Sequence, residues 1–508
     1  MREVFTYAAQ LYLPGSKVLS MDWSLHRRAS IAVDLGAQSC RLSLLRWDHE
    51  SPRAEIVHHF SNTPIVTANG LRWDMQAIFS GVKRGLRACA DRAPEGIASI
   101  SVDGWAVDYV RLDRNGTALG NPFCYRDERN VKAAEEFHRF FSRDKLYALT
   151  GIQLISLNTL YQLYADKLAG VDSSARWLNL PEYITHLLGG KPVSEYTNAT
   201  HCQLVSLGTM QWCREIFDAA GLDISAAPEI VPTGTVVGSV TGELSELQAF
   251  HNTQLIVPAC HDTASAIAAI PATGDEWAFI SSGTWSLVGT VLHKPCLTTE
   301  AQQMNFTNLG GVGGTFCFLK NVNGMWLLQQ CIEEWAQAGQ DWTVGDLVRR
   351  CAALPAPATL IDVDHPQLML PGGMLGKINS QIEQSGGQAF TSVTKEVPPL
   401  IANTIFHSLA QRYAEVLGDI GKITGKRLRR LFIVGGGSKN ELLNRLTAQR
   451  TGLQVILGAT ESTTIGNFAI QIAALRSGQE ADKGVKASDV AKIAQAISLD
   501  CQPLSAAR

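Results

Sequence analysis

The sequence predicts an α/β protein made of two similar halves. Three observations carry that expectation: a strand, polar turn and strand that recurs about half a chain later, a strand running through a glycine turn into a helix, and a strand-to-helix corner bearing a histidine and an aspartate. At 508 residues the chain exceeds what one ordinary core can fill, so two large domains are expected.

Residues 1–28 follow no clear period and read as an N-terminal extension, either unstructured or untranslated if Met21 is the true start. The first strand pair is "SIAVDLGAQSCRLSLLRW", in which Ile31 and Val33 alternate, Gly36 breaks the run, and Leu42, Leu44 and Leu45 resume it. A third strand, turn and strand, "IASISVDGWAVDYVRLD", gathers Asp103, Trp105 and Asp108. From "NPFCYRDERN" to about Gly189 the pattern turns helical, ending in "LPEYITHLLGG", a short helix stopped by glycines.

"TQLIVPA" reads as a strand and "TASAIAAI" as a helix, which leaves His261 and Asp262 at the corner between them, the usual place for α/β active sites. Asp262 or Thr263 could instead cap the helix. Immediately afterwards "EWAFISSGTWSLVGTVL" repeats the plan of the first strand pair, with a turn at Ser281 to Thr284. Backbone N–H groups and hydroxyls in two such turns suit a phosphate chain, although ordinary tight hairpins give the same pattern.

Further on, Ile401, Ile405, Leu409, Tyr413, Leu417 and Ile420 form a helical stripe, read as core. The basic run "GKRLRRL" reads as a solvated entry to the strand "LFIV", which meets Gly435, Gly436 and Gly437. Ser438 and Glu441 have the spacing of a capping box, which predicts a helix directly after the glycines.

Bulk properties remove several function classes. Apolar residues make up 45% and the net charge is -3, so the chain is not disordered and has no electrostatic attraction for nucleic acid. No apolar run approaches about eighteen residues, and the N-terminus is too polar for a secretory signal, so a cytoplasmic protein is expected. The 11 cysteines include no CxxC pair, which suits buried, reduced thiols and makes structural zinc or a disulfide framework unexpected. There is no P-loop motif, and the glycine runs do not fit the dinucleotide fingerprint. A carboxylate at the corner could take a proton from a hydroxyl attacking a γ-phosphorus, and phosphoryl transfer demands little other covalent chemistry.

In order along the chain, "AVDLGAQSCR", "VDGWAVDY", "YRDERN", "SLNTLYQL", "EYTNAT", "CHDTASA", "SSGTWSL", "LKNVNGMWLLQ" and "FIVGGG" resemble the blocks of the FGGY carbohydrate kinases, from about Ile31 to about Ala473. The resemblance implies an α/β fold of two actin-like (ribonuclease H-like) ATPase domains flanking a deep catalytic cleft. The sugar-binding domain would span 29–270 and the nucleotide-binding domain 271–508. It further implies ATP with Mg2+, and transfer of the γ-phosphate to the 1-hydroxyl of a ketose. That ketose would be L-rhamnulose, with L-fuculose, a pentulose or a catalytically silent sugar-binding role as alternatives.

Carried over onto this chain, Asp262 is the catalytic base, and Ala106, His261, Thr263 and Asn321 join it in contacting the sugar. Ala37, Gln38, Ser39, Cys40, Arg41, Thr284, Gln329 and Gly436 would face the nucleotide, and Asp34 the metal. A monomer or homodimer is expected, with neither nucleic acid nor membrane as a partner. Two departures stand out: Cys40 and Ala106 occupy positions where glycine is usual, and their added bulk could shift sugar preference.

Overall fold

The computed structural model describes residues 5–7, 27–48, 51–390, 394–478 and 484–500. The extension read over 1–28, and with it the choice between Met1 and Met21, lies outside the described residues except for 5–7 and 27–28. The described residues divide into two compact units. One takes 5–7, 272–290, 319–390 and 394–460, and the other 27–48, 51–271, 291–318, 461–478 and 484–500.

In the larger unit the first strand pair forms as expected. Ala29–Leu35 and Ser39–Asp48 pair antiparallel, with Leu35 opposite Cys40, and Ser51–Ser61 extends the meander on the far side. Ala29–Leu35 then pairs in parallel with Ile97–Gly104, which pairs in parallel with Gln254–Ile256. Its apolar residues are buried on both faces, as a central strand requires.

The smaller unit repeats this order. Trp277–Ser282 and Trp285–Leu292 form an antiparallel hairpin, and Trp277–Ser282 pairs in parallel with Arg430–Val434, itself parallel to Gln454–Leu457. On the other side of the hairpin runs Phe316–Asn323, whose residues from Leu319 onward fall in this unit. A meander followed by parallel strands in both sheets is the internal repeat that the two hairpins announced.

One local expectation needs refinement and one needs correction. "SVDGWAVDYV" is strand, turn and strand as read, but the two strands do not pair: Ile97–Gly104 stays in the main sheet, whereas Tyr109–Leu112 leaves it to pair with Arg176–Asn179. The cause is the turn between them, where Val107 is left-handed (φ 72°) and its carbonyl accepts the Thr159 hydroxyl at 2.7 Å. The helix after the glycines is capped by Asn440, whose Oδ1 accepts Leu443 N–H at 3.1 Å, because Gly436–Lys439 first makes a 3-10 turn. Ser438 falls inside that turn and cannot cap.

Elsewhere the periodicities hold. Val397–Thr424 is one helix that buries Ile401, Ile405, Leu409, Tyr413, Leu417 and Ile420 and ends at left-handed Gly425. The region after Tyr125 forms the helices Arg129–Phe137, Arg143–Thr150, Thr159–Leu168 and Leu180–Leu187, the first three sharing an aromatic core around Phe137, Tyr161 and Trp177. The ten cysteines among the described residues are all free thiols, nine of them buried.

One contact fixes the position of the corner helix. Helix Ser462–Ser477 crosses helix Asp262–Ala268 so closely that a Cβ at Gly466 would overlap the carbonyl oxygen of Ser265. Backbone cannot yield as a side-chain tip can. Gly466→Ala should therefore destabilise the unit by about 3 kcal/mol and lower activity, because the displaced helix carries Asp262. Thermal unfolding checks the first part and an ADP-release assay the second; an unchanged melting temperature would mean that the helices separate freely.

Candidate active site

Main-chain bonds draw the strand ends together in the larger unit. Trp105 N–H donates to Leu35 O at 3.1 Å, Gly104 N–H donates to Cys260 O at 3.0 Å, and Gly104 bridges in parallel to His261. Asp34, Asp103 and Asp262 thus arrive at the carboxyl ends of neighbouring strands, where α/β sheets place their chemistry. Asp34 and Asp103 stand directly opposite each other in the parallel register.

Asp262 is the first residue of its helix, His261 is the N-cap, and no side chain makes a capping bond there. The capping role is therefore not what Asp262 performs. Its carboxylate accepts the Thr263 hydroxyl at 3.1 Å and keeps 31% of its side-chain surface exposed. Enclosure by the surrounding chain, followed by the negative charge of Asp34, pushes its pKa up to about 7. A carboxylate so placed is half ionised near neutrality, the range that suits a general base.

The other two carboxylates share the strain. Burial pushes Asp34 up to about 6, with Arg41 pulling down and Glu461 pushing up. Arg41 Nη1 lies 3.4 Å from Asp34 Oδ2 and 3.2 Å from Glu461 Oε2, bridging them. Asp103 is fully enclosed, and burial, then Asp34, raise it far above the usual carboxylate range. Asp108, by contrast, is separated from this cluster by the Val107 turn. It accepts the indole N–H groups of Trp73 and Trp105 at 2.6 and 3.0 Å and Gln162 at 3.0 Å, pinning two tryptophans in tilted contact next to Ala106.

His261 is buried against His201, ring centroids 4.1 Å apart, and burial holds both imidazoles well below their ordinary pKa, hence neutral. Behind them Glu195 braces the corner: its carboxylate accepts Cys260 N–H at 2.9 Å, Thr197 N–H at 3.0 Å and the Thr197 and Thr233 hydroxyls. At the hairpin tip Gln38 is exposed and Ala37 and Ser39 are half-buried, while Cys40 is fully enclosed, its thiol on the Gly36 carbonyl at 3.9 Å. The extra sulfur is absorbed inside the sheet.

The remaining candidates lie on the smaller unit. Met325 N–H and Trp326 N–H donate to the carbonyls of Gly283 and Thr284 at 3.1 and 3.2 Å, so helix Trp326–Gln337 starts on the second turn. Gln329 sits in the first turn of that helix, half-buried, with its amide on Glu333 at 3.2 Å. A Cβ at Gly437 would overlap the Ser282 side chain, so the glycine turn lies against the end of the hairpin, while Gly436 faces open space. Thr284, Gln329 and Gly436 are thereby gathered, and Asn321 is half-buried on the strand Phe316–Asn323. Sequence reasoning missed Glu195, His201 and Glu461.

The N-terminal model of the FGGY family of carbohydrate kinases matches residues 29–269 and the C-terminal model residues 278–475. A rhamnulokinase of Halalkalibacterium halodurans is 37% identical over 88% of this chain and 93% of its own length. The chain belongs to the FGGY family of carbohydrate kinases. A second relative, the rhamnulokinase of Bacteroides thetaiotaomicron, is 36% identical over 92% of the chain and 93% of its own length. The fold agrees with solved FGGY-type kinases. A ligand-bound xylulose kinase from Lactobacillus acidophilus superposes with TM-score 0.70 at 18% identity, over 93% of this chain and 96% of that one. A Plasmodium falciparum glycerol kinase with ADP gives 0.69 at 14% identity, over 92% of each. As an FGGY kinase the protein is a phosphotransferase that uses ATP and a carbohydrate. Among the described residues no helix is long and apolar enough to cross a membrane.

Proposed function

We propose that this kinase transfers the γ-phosphate of ATP to the 1-hydroxyl of L-rhamnulose, with Asp262 as general base. The substrate reading is supported by the two rhamnulokinases that match nearly end to end. The base reading is carried by one observation: Asp262, free of a capping role and partly exposed, is pushed by burial, and then by Asp34, to a pKa of about 7. In the reaction the sugar oxygen bonds to the γ-phosphorus as its proton passes to Asp262. The bond from phosphorus to the β,γ-bridging oxygen breaks, ADP leaves with that electron pair, and Asp262 later returns the proton to water.

His261 and Thr263, the chain neighbours of Asp262, and Ala106 would contact the ketose, as would Asn321. Ala37 to Arg41, Thr284, Gln329 and Gly436 would contact the nucleotide. The chemistry of the donors suits Mg2+, since Asp34 offers hard carboxylate oxygens beside Asp103 and Asp262, although among the described residues no three such side chains close on one point, so water and phosphate oxygens would complete the shell. Asp34 would hold the ion, which when bound neutralises charge on the transferring phosphate. The free thiols support a cytoplasmic setting.

The test is ADP release with Mg2+ and ATP across L-rhamnulose, L-fuculose, L-xylulose, D-xylulose, L-ribulose and glycerol. L-rhamnulose should give the highest kcat/KM, and a better sugar elsewhere in the panel would overturn the substrate assignment. In the same panel Ala106→Gly should raise relative kcat/KM for bulkier or differently configured ketoses by about 10-fold, the scale of one methyl in a packed pocket. An unchanged ranking would remove Ala106 from the specificity argument.

A further inference from the structure

Helix Ser462–Ser477 is buried along most of its length, yet it carries Asn467 and Gln471 at positions with no access to water. Their hydrogen bonds form a chain that can run in only one direction. Gln471 Nε2 donates to the main-chain carbonyl of Ile31 at 3.0 Å, and a carbonyl can only accept, so this end of the amide is fixed as nitrogen. Gln471 Oε1 must then accept, and it does so from Ser99 Oγ at 2.6 Å. With the single Ser99 proton committed, Ser30 donates to Ser99 at 3.0 Å.

Gln471 Nε2 also donates to Asn467 Oδ1 at 2.7 Å, which turns Asn467 Nδ2 onto Asp103 Oδ2 at 3.0 Å. Asp103 Oδ2 is thus obliged to accept, while Asp103 Oδ1 is enclosed without a hydrogen-bond partner among the described residues. The same helix meets the corner helix at Gly466 and begins beside Glu461, which Arg41 ties to Asp34. Each of the three site carboxylates is therefore reached from this one helix.

We infer that Asn467 is a positioning residue for phosphoryl transfer: with its amide set by Gln471 and Ser99, it holds the Asp103 carboxylate in one orientation beside Asp34 and Asp262. A directional chain of this kind leaves no second low-energy arrangement: reversing Gln471 would set its oxygen against the Ile31 carbonyl, acceptor against acceptor, and reversing Asn467 would set its NH2 against the Gln471 NH2, donor against donor. The inference rests on Asp262 being the base.

The test compares Asn467→Leu, Gln471→Met and Ser99→Ala, each close in volume to the native residue but unable to pass the hydrogen bond on. With the best ketose of the panel, kcat should fall about 30-fold, about 10-fold and about 3-fold respectively, the scale of a misplaced reacting group. KM for ketose and for ATP should stay within about 2-fold, since neither ligand touches the chain of amides. Ser99→Ala added to Gln471→Met should cost nothing further, as both cut one path.

Variants that melt earlier but keep kcat within about 2-fold per folded molecule, or effects of Ser99→Ala and Gln471→Met that simply multiply, would show a structural role only and overturn the inference. Should Asn467→Leu fail to fold, the other two variants and their double carry the same decision. Failure of the base reading is separate: it shows as retained turnover in Asp262→Asn, whatever the relay variants do.

Discussion

Asp262→Asn is expected to lower kcat by about 1,000-fold while leaving the KM for ATP within about 2-fold, the usual scale for loss of a positioned base. The same substitution should make the protein more stable at neutral and alkaline pH. The sign follows from the raised pKa: 3.8 for an ordinary aspartate, which the unfolded chain approaches, against about 7 in the folded protein. Between those values the folded state binds a proton that the unfolded state has released, so stability falls as pH rises through that window and stays low above it. Asparagine has no such dependence. The melting temperature of Asp262→Asn should therefore match the wild type near pH 4, pull ahead through pH 7, and hold a constant lead above it. In the wild type, ketose kcat/KM should rise with pH toward a plateau with its midpoint near 7. Retained turnover would reduce Asp262 to a helix residue, and lost turnover without the pH-dependent lead would mean that neither burial nor Asp34 raises its pKa.

What could be read from the chain was what local pattern determines. Alternating apolar residues around Gly36 and around Ser281 to Thr284 gave both hairpins, and the 3.6-residue stripe gave the helix Val397–Thr424. The corner at His261 and Asp262 was legible because a strand pattern changes to a helix pattern within four residues. What was not legible depends on partners far along the chain. Asn467 and Gln471 look like polar interruptions of an apolar helix until the sheet they face, 364 and 372 residues earlier, is in place. Glu195 was visible in "EYTNAT" as an unremarkable acidic residue, because nothing local shows that Thr233 and Cys260 converge on it. The Ser438 cap failed for a related reason: the spacing matched, but the 3-10 turn after Gly435 shifted the helix start to Asn440.

Glu195 supplies the other large expected effect, and its two variants should separate charge from hydrogen bonding. Its Oε2 accepts Cys260 N–H and both the N–H and hydroxyl of Thr197, and its Oε1 accepts only the Thr233 hydroxyl. Glu195→Ala removes every acceptor at once and strands a buried N–H at Cys260, two residues before Asp262, which should cost about 3 kcal/mol or more. The unfolding temperature should drop by about 5 °C or more, and kcat should fall because the corner is no longer braced. Glu195→Gln can keep its amide oxygen in the Oε2 position, where the three donors are fixed, and present its NH2 to Thr233. A threonine hydroxyl both donates and accepts, so Thr233 can rotate to receive that N–H. The glutamine variant should consequently stay within about 1 kcal/mol of the wild type and keep most of its turnover. If it is as damaged as the alanine variant, the corner is held by the negative charge on Glu195 rather than by the pattern of donors around it.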